Sequence, residues 1–123
     1  MSNHFHLIWQ ILGEHSRKDV QRDFLKFTGQ QILKHLRNKN AAILTELLVN
    51  AKDRKYQVWE RNSLSISILK PKVFWQKIDY IHYNPLKSRL CKNQEDYKYS
   101  KYSSVRFYEM NGQDWDFLVH YKD

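Results

Sequence analysis

Apolar and polar residues alternate at the start of the chain. Phe5, Leu7, Trp9 and Ile11 fall on one face of an extended segment, and His4, His6, Ile8 and Gln10 on the other. This pattern predicts a strand over residues 4–12, broken at Gly13. Ser16 stands three residues before Asp19, an N-cap followed by an acidic first turn, and predicts a helix over about residues 17–37. Val20, Phe24, Phe27 and Ile32 or Leu33 make its apolar stripe. Ile43, Leu44, Leu47 and Leu48 keep helical spacing and predict a second, shorter helix over 41–51. The run KYQVWERNSLSISIL then alternates again, predicting a hairpin with strands at 56–60 and 64–69. Pro71 suits the first turn of a helix and Pro85 predicts its stop at Asn84, with Phe74, Ile78 and Ile81 facing the core. Beyond residue 93 the chain is aromatic and interrupted by Asn111 and Gly112, which predicts short helical turns. Together these elements predict an α+β domain spanning residues 1–123. In it, an antiparallel sheet carries the 17–37 and 72–84 helices on one face.

Composition narrows the function classes. At 123 residues, 41% of them hydrophobic and 15% aromatic, the chain can fold around a modest core and is not a disordered tail. Lysine and arginine number 21 against 13 acidic residues, a net charge of +8 that favours a polyanionic partner, nucleic acid before anionic membrane. A single cysteine, Cys91, excludes an internal disulfide and a multi-cysteine zinc site, and fits a reducing compartment. No apolar run approaches the roughly 18 residues of a membrane span, and residues 1–12 lack the basic start and apolar centre of a secretion signal. The expectation is a cytoplasmic protein with no membrane partner, monomeric or dimeric.

Two groups of residues carry candidate chemistry. His4 and His6 point to one side of their segment, and neighbours on one strand face lie about 6.5–7 Å apart, close enough to share a metal ion or a phosphate. A His-x-His pair is nevertheless a short pattern, and the ordinary outcome is a hydrogen-bonded side chain. The second group is on the helix that ends near Pro85. There Tyr80 and Asn84 share a face, with Gln76 and Lys77 one turn earlier. A tyrosine hydroxyl can attack phosphorus, a carboxamide oxygen can ligate a hard cation and a lysine can neutralise a phosphate. Equally, Tyr80 can simply pack its ring and Asn84 cap a helix. Lys18, Arg22 and Lys26 step by four along the first helix, with Lys34 and Arg37 extending the row, either as a solvated ridge or as a surface that tracks a phosphate backbone.

The ordered set MSNHFHLIW, VWERNS, KIDYIHYNPLKSRL and EDYKYS…YSSVRFYE resembles the REP-associated tyrosine transposases, members of the single-tyrosine HUH transposase family. The resemblance runs across nearly the whole chain, and the combination of a His-hydrophobic-His strand with a YIxxNP helix is far more specific than either part. It implies a ferredoxin-like α+β fold in which His4, His6 and Asn84 bind Mg²⁺ or Mn²⁺ and Tyr80 is the nucleophile. The implied substrate is single-stranded DNA that folds into a hairpin, cut and rejoined through a 5′-phosphotyrosine in DNA transposition or REP-element mobilisation. Lys18, Arg22 and Lys26 would then hold the DNA backbone, Lys77 would ease formation of the Tyr80 phenolate, and Trp59 or Trp75 would stack bases.

The family carries an N-terminal strand beside the His-x-His strand, whereas His4 here is the fourth residue, so the resemblance implies a sheet short of strands at this end. A glycine is usual in the family where Arg89 stands, and an arginine there would be costly if the position needs positive φ. Proline is usual where Ser2 and Ser67 stand. Two other readings remain open: a non-catalytic DNA-binding fragment of such a transposase, and an unrelated metal-dependent hydrolase using His4 and His6 with a third ligand such as His82.

Overall fold

The computed structural model describes residues 1, 3–39, 41–61, 63–94, 96–99, 104–109 and 118. Ser2, residues 100–103 and the Asn111–Gly112 break therefore lie outside the described residues. The elements are α1 (Arg17–Asn38), a 3-10 turn (Ala42–Leu44), β1 (Leu48–Ala51), β2 (Arg54–Tyr56), α2 (Pro71–Lys87) and α3 (Val105–Glu109), an α+β composition. The chain packs as two compact units, one of residues 8–65 and the other of residues 1–7 with 66–123.

In the first of these units, α1 begins as its sequence predicts. Ser16 has extended dihedrals, its Oγ accepts from the Asp19 amide at 3.1 Å, and the same hydroxyl donates to Asp19 Oδ2 at 2.6 Å. The side of α1 that packs is marked by Trp9, edge-on to Phe24 with centroids 5.5 Å apart, and by Trp59, whose Nε1 donates to Thr28 Oγ1 at 2.9 Å. Trp59 thus packs on α1 through Thr28 and the bare backbone of Gly29. Phe27, assigned to the stripe, is 62% exposed.

The region after α1 departs from the expected helix. Residues 41–48 form consecutive i→i+3 turns, from Leu44 N–H to the Ala41 carbonyl through Leu48 N–H to the Thr45 carbonyl. The chain then enters an antiparallel hairpin, with Leu48 opposite Tyr56, Ala51 opposite Arg54 and an irregularity between. Helical spacing of the leucines suits a 3-10 coil nearly as well over so short a stretch. Val49 and the Lys52–Asp53 turn then favour the hairpin. The hairpin thus lies earlier than predicted. Among the described residues its two strands are the only sheet, and neither 4–12 nor 64–69 joins a ladder. Both segments alternate in sequence as strands do, but alternation selects a face and only a partner makes a ladder.

In the other unit, α2 turns one face inward. Phe74, Ile78, His82 and Pro85 are buried, and Val105 of α3 is buried with them. Tyr108 closes the far end of this core, its ring 5.9 Å from Phe74 and 5.5 Å from Trp75, so Trp75 too is engaged in packing. The helix does not stop at Asn84 but runs through Pro85 to Lys87. In the last turn proline forfeits a single backbone bond, and its ring is buried. Termination comes three residues later in a Schellman motif: Leu90 N–H donates to the Pro85 carbonyl at 3.0 Å and Arg89 N–H to the Leu86 carbonyl at 2.9 Å. That geometry requires a left-handed residue, and Arg89 supplies it with φ 55°. A side chain in this conformation costs about 1 kcal/mol or more.

Arg89→Gly is therefore expected to raise the unfolding free energy by about 1 kcal/mol, read from urea denaturation midpoints at unchanged slope. At the interior of α1 the opposite exchange applies. A Cβ on Gly29 would meet Trp59 Cδ1 at 3.6 Å, ordinary contact, so Gly29→Ala should add about 0.5–1 kcal/mol. A loss of stability in either variant would contradict the backbone assignment at that position.

Candidate functional site

The face of α2 turned away from its core carries Lys77, Tyr80 and Asn84, spaced at three and four residues so that they form one row. Tyr80 is half exposed, Asn84 and Lys77 are partly buried. Against this row lies the extended N-terminal segment of the same compact unit. Asn84 Nδ2 donates to His6 Nε2 at 3.0 Å, a contact between residues 78 positions apart. The His6 ring also stands edge-on to Tyr80, with centroids 5.4 Å apart, and edge-on to His4 at 5.1 Å. His4 in turn holds Asn3, its Nδ1 lying 2.8 Å from Asn3 Oδ1. His6 is thus the hub, touching both histidine and helix residues of the predicted site.

A divalent cation can be tested against this arrangement. Two ligands at right angles around an ion with bonds of about 2.1 Å are separated by about 3.0 Å. That is the observed distance between His6 Nε2 and the Asn84 amide. Turning the amide about its own axis exchanges Nδ2 for Oδ1 and converts a hydrogen-bonded pair into two donors of electron pairs with the same spacing. Two imidazoles and a carboxamide oxygen would offer such an ion its protein donors, with water completing the sphere. Among the described residues no group of three or more His, Cys, Asp or Glu side chains could hold a metal ion.

Burial holds the His6 imidazole below the ordinary histidine value of 6.5, and the neighbouring His4 ring and the Met1 amino group add to the effect. His6 is therefore neutral at physiological pH and offers a lone pair. The other predicted residues are distributed differently. Lys77 accompanies Tyr80 on α2, whereas Lys18, Arg22 and Lys26 belong to α1 in the other compact unit. Arg22 is engaged with Asp19 at 2.6 Å and Asp23 at 2.9 Å. These contacts raise its own value and help lower that of Asp19, which is held down first by the Ser16 hydroxyl. The basic ridge is thus partly neutralised at its centre.

His82, named as an alternative third ligand, faces the core of α2: it is 1% exposed and its Nε2 lies 3.0 Å from Ser104 Oγ. Its partner identifies it as a structural histidine. Asn3 and Ser104 were not marked by the sequence pattern, and only the neighbouring position of Asn3 to His4 offered any signal. Comparison with protein-family models, with curated proteins and with solved structures finds no match to this chain.

The depressed value of His6 can be checked by NMR titration of the metal-free protein. Its midpoint should fall below 6.5, and His4→Ala should move it upward without restoring 6.5, because burial is the larger cause. With the folded value below the unfolded one, the unfolded state binds the proton more tightly. Stability contributed by this group is therefore full above about pH 6.5 and is lost as pH falls through the depressed value. A His6 midpoint at or above 6.5 would contradict burial as the dominant influence on this ring.

Proposed function

We propose that this chain is a single-stranded DNA transferase of the REP-associated tyrosine transposase type, with the family's ferredoxin-like fold and Tyr80 as its nucleophile. The observation that carries the reading is the contact of His6 with both Asn84 and Tyr80. It draws the His-x-His segment and the YIxxNP helix, distant in sequence, into one site. His4, His6 and Asn84 would hold Mg²⁺ or Mn²⁺, which supplies Lewis-acid polarisation of a phosphate when bound.

The protein's part follows from its own groups. Tyr80 Oη attacks the scissile phosphorus and forms a phenolic ester with the 5′-phosphate. The bond to the 3′-oxygen breaks, and that oxygen leaves as a 3′-hydroxyl, taking up a proton in balance with the one lost by the phenol. Lys77, one turn before Tyr80 on the same row, would offer positive charge to the phosphate. No water is consumed, and the phosphotyrosine keeps the bond energy for a second 3′-hydroxyl. Lys18 and Lys26 offer charge to the backbone of a folded single strand, and the net charge of +8 suits such a partner. No helix among the described residues is long and apolar enough to cross a membrane. A DNA substrate places the protein in the cytoplasm.

The decisive experiment incubates the protein with a hairpin-bearing single-stranded oligonucleotide and Mn²⁺ and looks for an adduct that survives boiling in detergent. Tyr80→Phe should abolish the adduct and leave binding nearly unchanged, since only the nucleophilic oxygen is removed. His6→Ala should lose it as well, while Tyr83→Phe, which alters a tyrosine of equal exposure, 48%, should retain it. An adduct that survives Tyr80→Phe would refute the assignment. Binding with no adduct would identify a non-catalytic DNA-binding protein, and strand cleavage with turnover but no adduct would identify a hydrolase.

A further inference from the structure

An imidazole presents a lone pair from one nitrogen at a time, and which nitrogen does so is set by the partner of the other. His6 turns Nε2 toward α2, where the Asn84 amide meets it. At His4 it is Nδ1 that is engaged, lying 2.8 Å from Asn3 Oδ1, so that Nε2 is the nitrogen left for another partner. Side chains of adjacent residues in an extended segment normally point to opposite faces and do not meet. The chain bends at Asn3, and the bend brings this amide alongside the next residue's ring. The two rings stand edge-on, their centroids 5.1 Å apart and their planes at 78°, with His6 Nε2 held by the Asn84 amide at 3.0 Å.

We propose that Asn3 is a positioning residue: its side-chain oxygen locks His4 in the tautomer that carries the proton on Nδ1, so that Nε2 faces a divalent cation shared with His6. This inference rests on the metal-binding reading of the site and assigns a role to a residue outside the His-x-His pair and Asn84. The amide touches neither cation nor DNA. It acts through His4, by removing the need to select one of two tautomers when the ion binds.

The test uses the full chain. In the metal-free protein, ¹⁵N NMR of the imidazole nitrogens should report His4 with its proton on Nδ1. Asn3→Ala should shift His4 toward the other tautomer and leave His6 unchanged. Asn3→Asp retains an oxygen that can only accept, and should keep the wild-type tautomer. Mn²⁺ affinity from calorimetry should fall about tenfold in Asn3→Ala, the lower end for loss of such a partner because His4 is exposed and water can substitute in part. It should be at least that of wild type in Asn3→Asp. The proposal is overturned if His4 already carries its proton on Nε2 in the wild type, or if Asn3→Ala changes neither tautomer nor affinity. Wild-type protein that binds no Mn²⁺ while His4 shows the expected tautomer would instead overturn the metal reading, and with it any role of Asn3 toward an ion.

Discussion

The hydrogen bond from Asn84 to His6 is the constraint on which the rest of the site depends. Residues 4–12 make no sheet ladder among the described residues, so the segment that carries both histidines has no backbone bonds to a neighbouring strand to fix its register. Its placement against α2 comes from side chains: the Asn84 amide on His6 and the edge of the His6 ring on Tyr80. A hydrogen bond of this kind contributes about 1 kcal/mol and an edge-to-face ring pair about as much again. Those are small energies, comparable to the cost of ordering a few backbone residues. On the proposed reading, a cation that binds the assembled site and not the separated groups adds its own binding free energy to the same equilibrium. Assembly of the site and occupation of the site are then one event.

Helix α2 makes this economy workable because it serves two surfaces at once. Phe74, Ile78, His82 and Pro85 anchor one face with Val105, and the row of Lys77, Tyr80 and Asn84 projects from the other. Rigidity reaches Asn84 from its immediate neighbours. Pro85 is buried beside it, and the Asn84 carbonyl accepts the Ser88 amide at 3.0 Å in the closing turn. The turn is completed by Arg89 in a conformation that disfavours it. A few residues beyond the carboxamide, the backbone thus carries a local cost, which the two Schellman hydrogen bonds offset.

How far the sequence revealed this depends on whether a feature is local. The start of α1 was legible because Ser16 and Asp19 form their cap within one turn, whereas the left-handed backbone of Arg89 could be raised from sequence only as a condition. The rows His4–His6 and Tyr80–Asn84 were legible as spacings of two and four. What the spacing could not show was that the rows meet, since contact across 78 positions is set by packing and not by period. Residues 41–51 misled for a related reason. Leucines at helical intervals fit either an α-helix or a few 3-10 turns, and the choice was made by Val49 and the Lys52–Asp53 turn further on. The alternating run at 64–69 misled as a paired strand, because pairing is a property of two segments.

His82 shows why residue type alone is a poor guide to chemistry in this chain. It lies two positions from Tyr80 and two from Asn84, nearer in sequence to both than His6 is, and imidazole is a good metal ligand. Yet two residues along a helix amount to a rotation of about 200°, which carries the side chain from the site row to the buried face. There it is 1% exposed, and a buried imidazole without a partner would be costly. Ser104 Oγ, 3.0 Å away, meets that need and in doing so ties the start of α3 to α2. An alanine there would leave a void and an unmatched hydroxyl in the core, whereas the same change at His6 would leave the core intact and empty the site. Between two histidines of one compact unit, it is helix phase and burial, not proximity in sequence, that separate the structural residue from the candidate ligand.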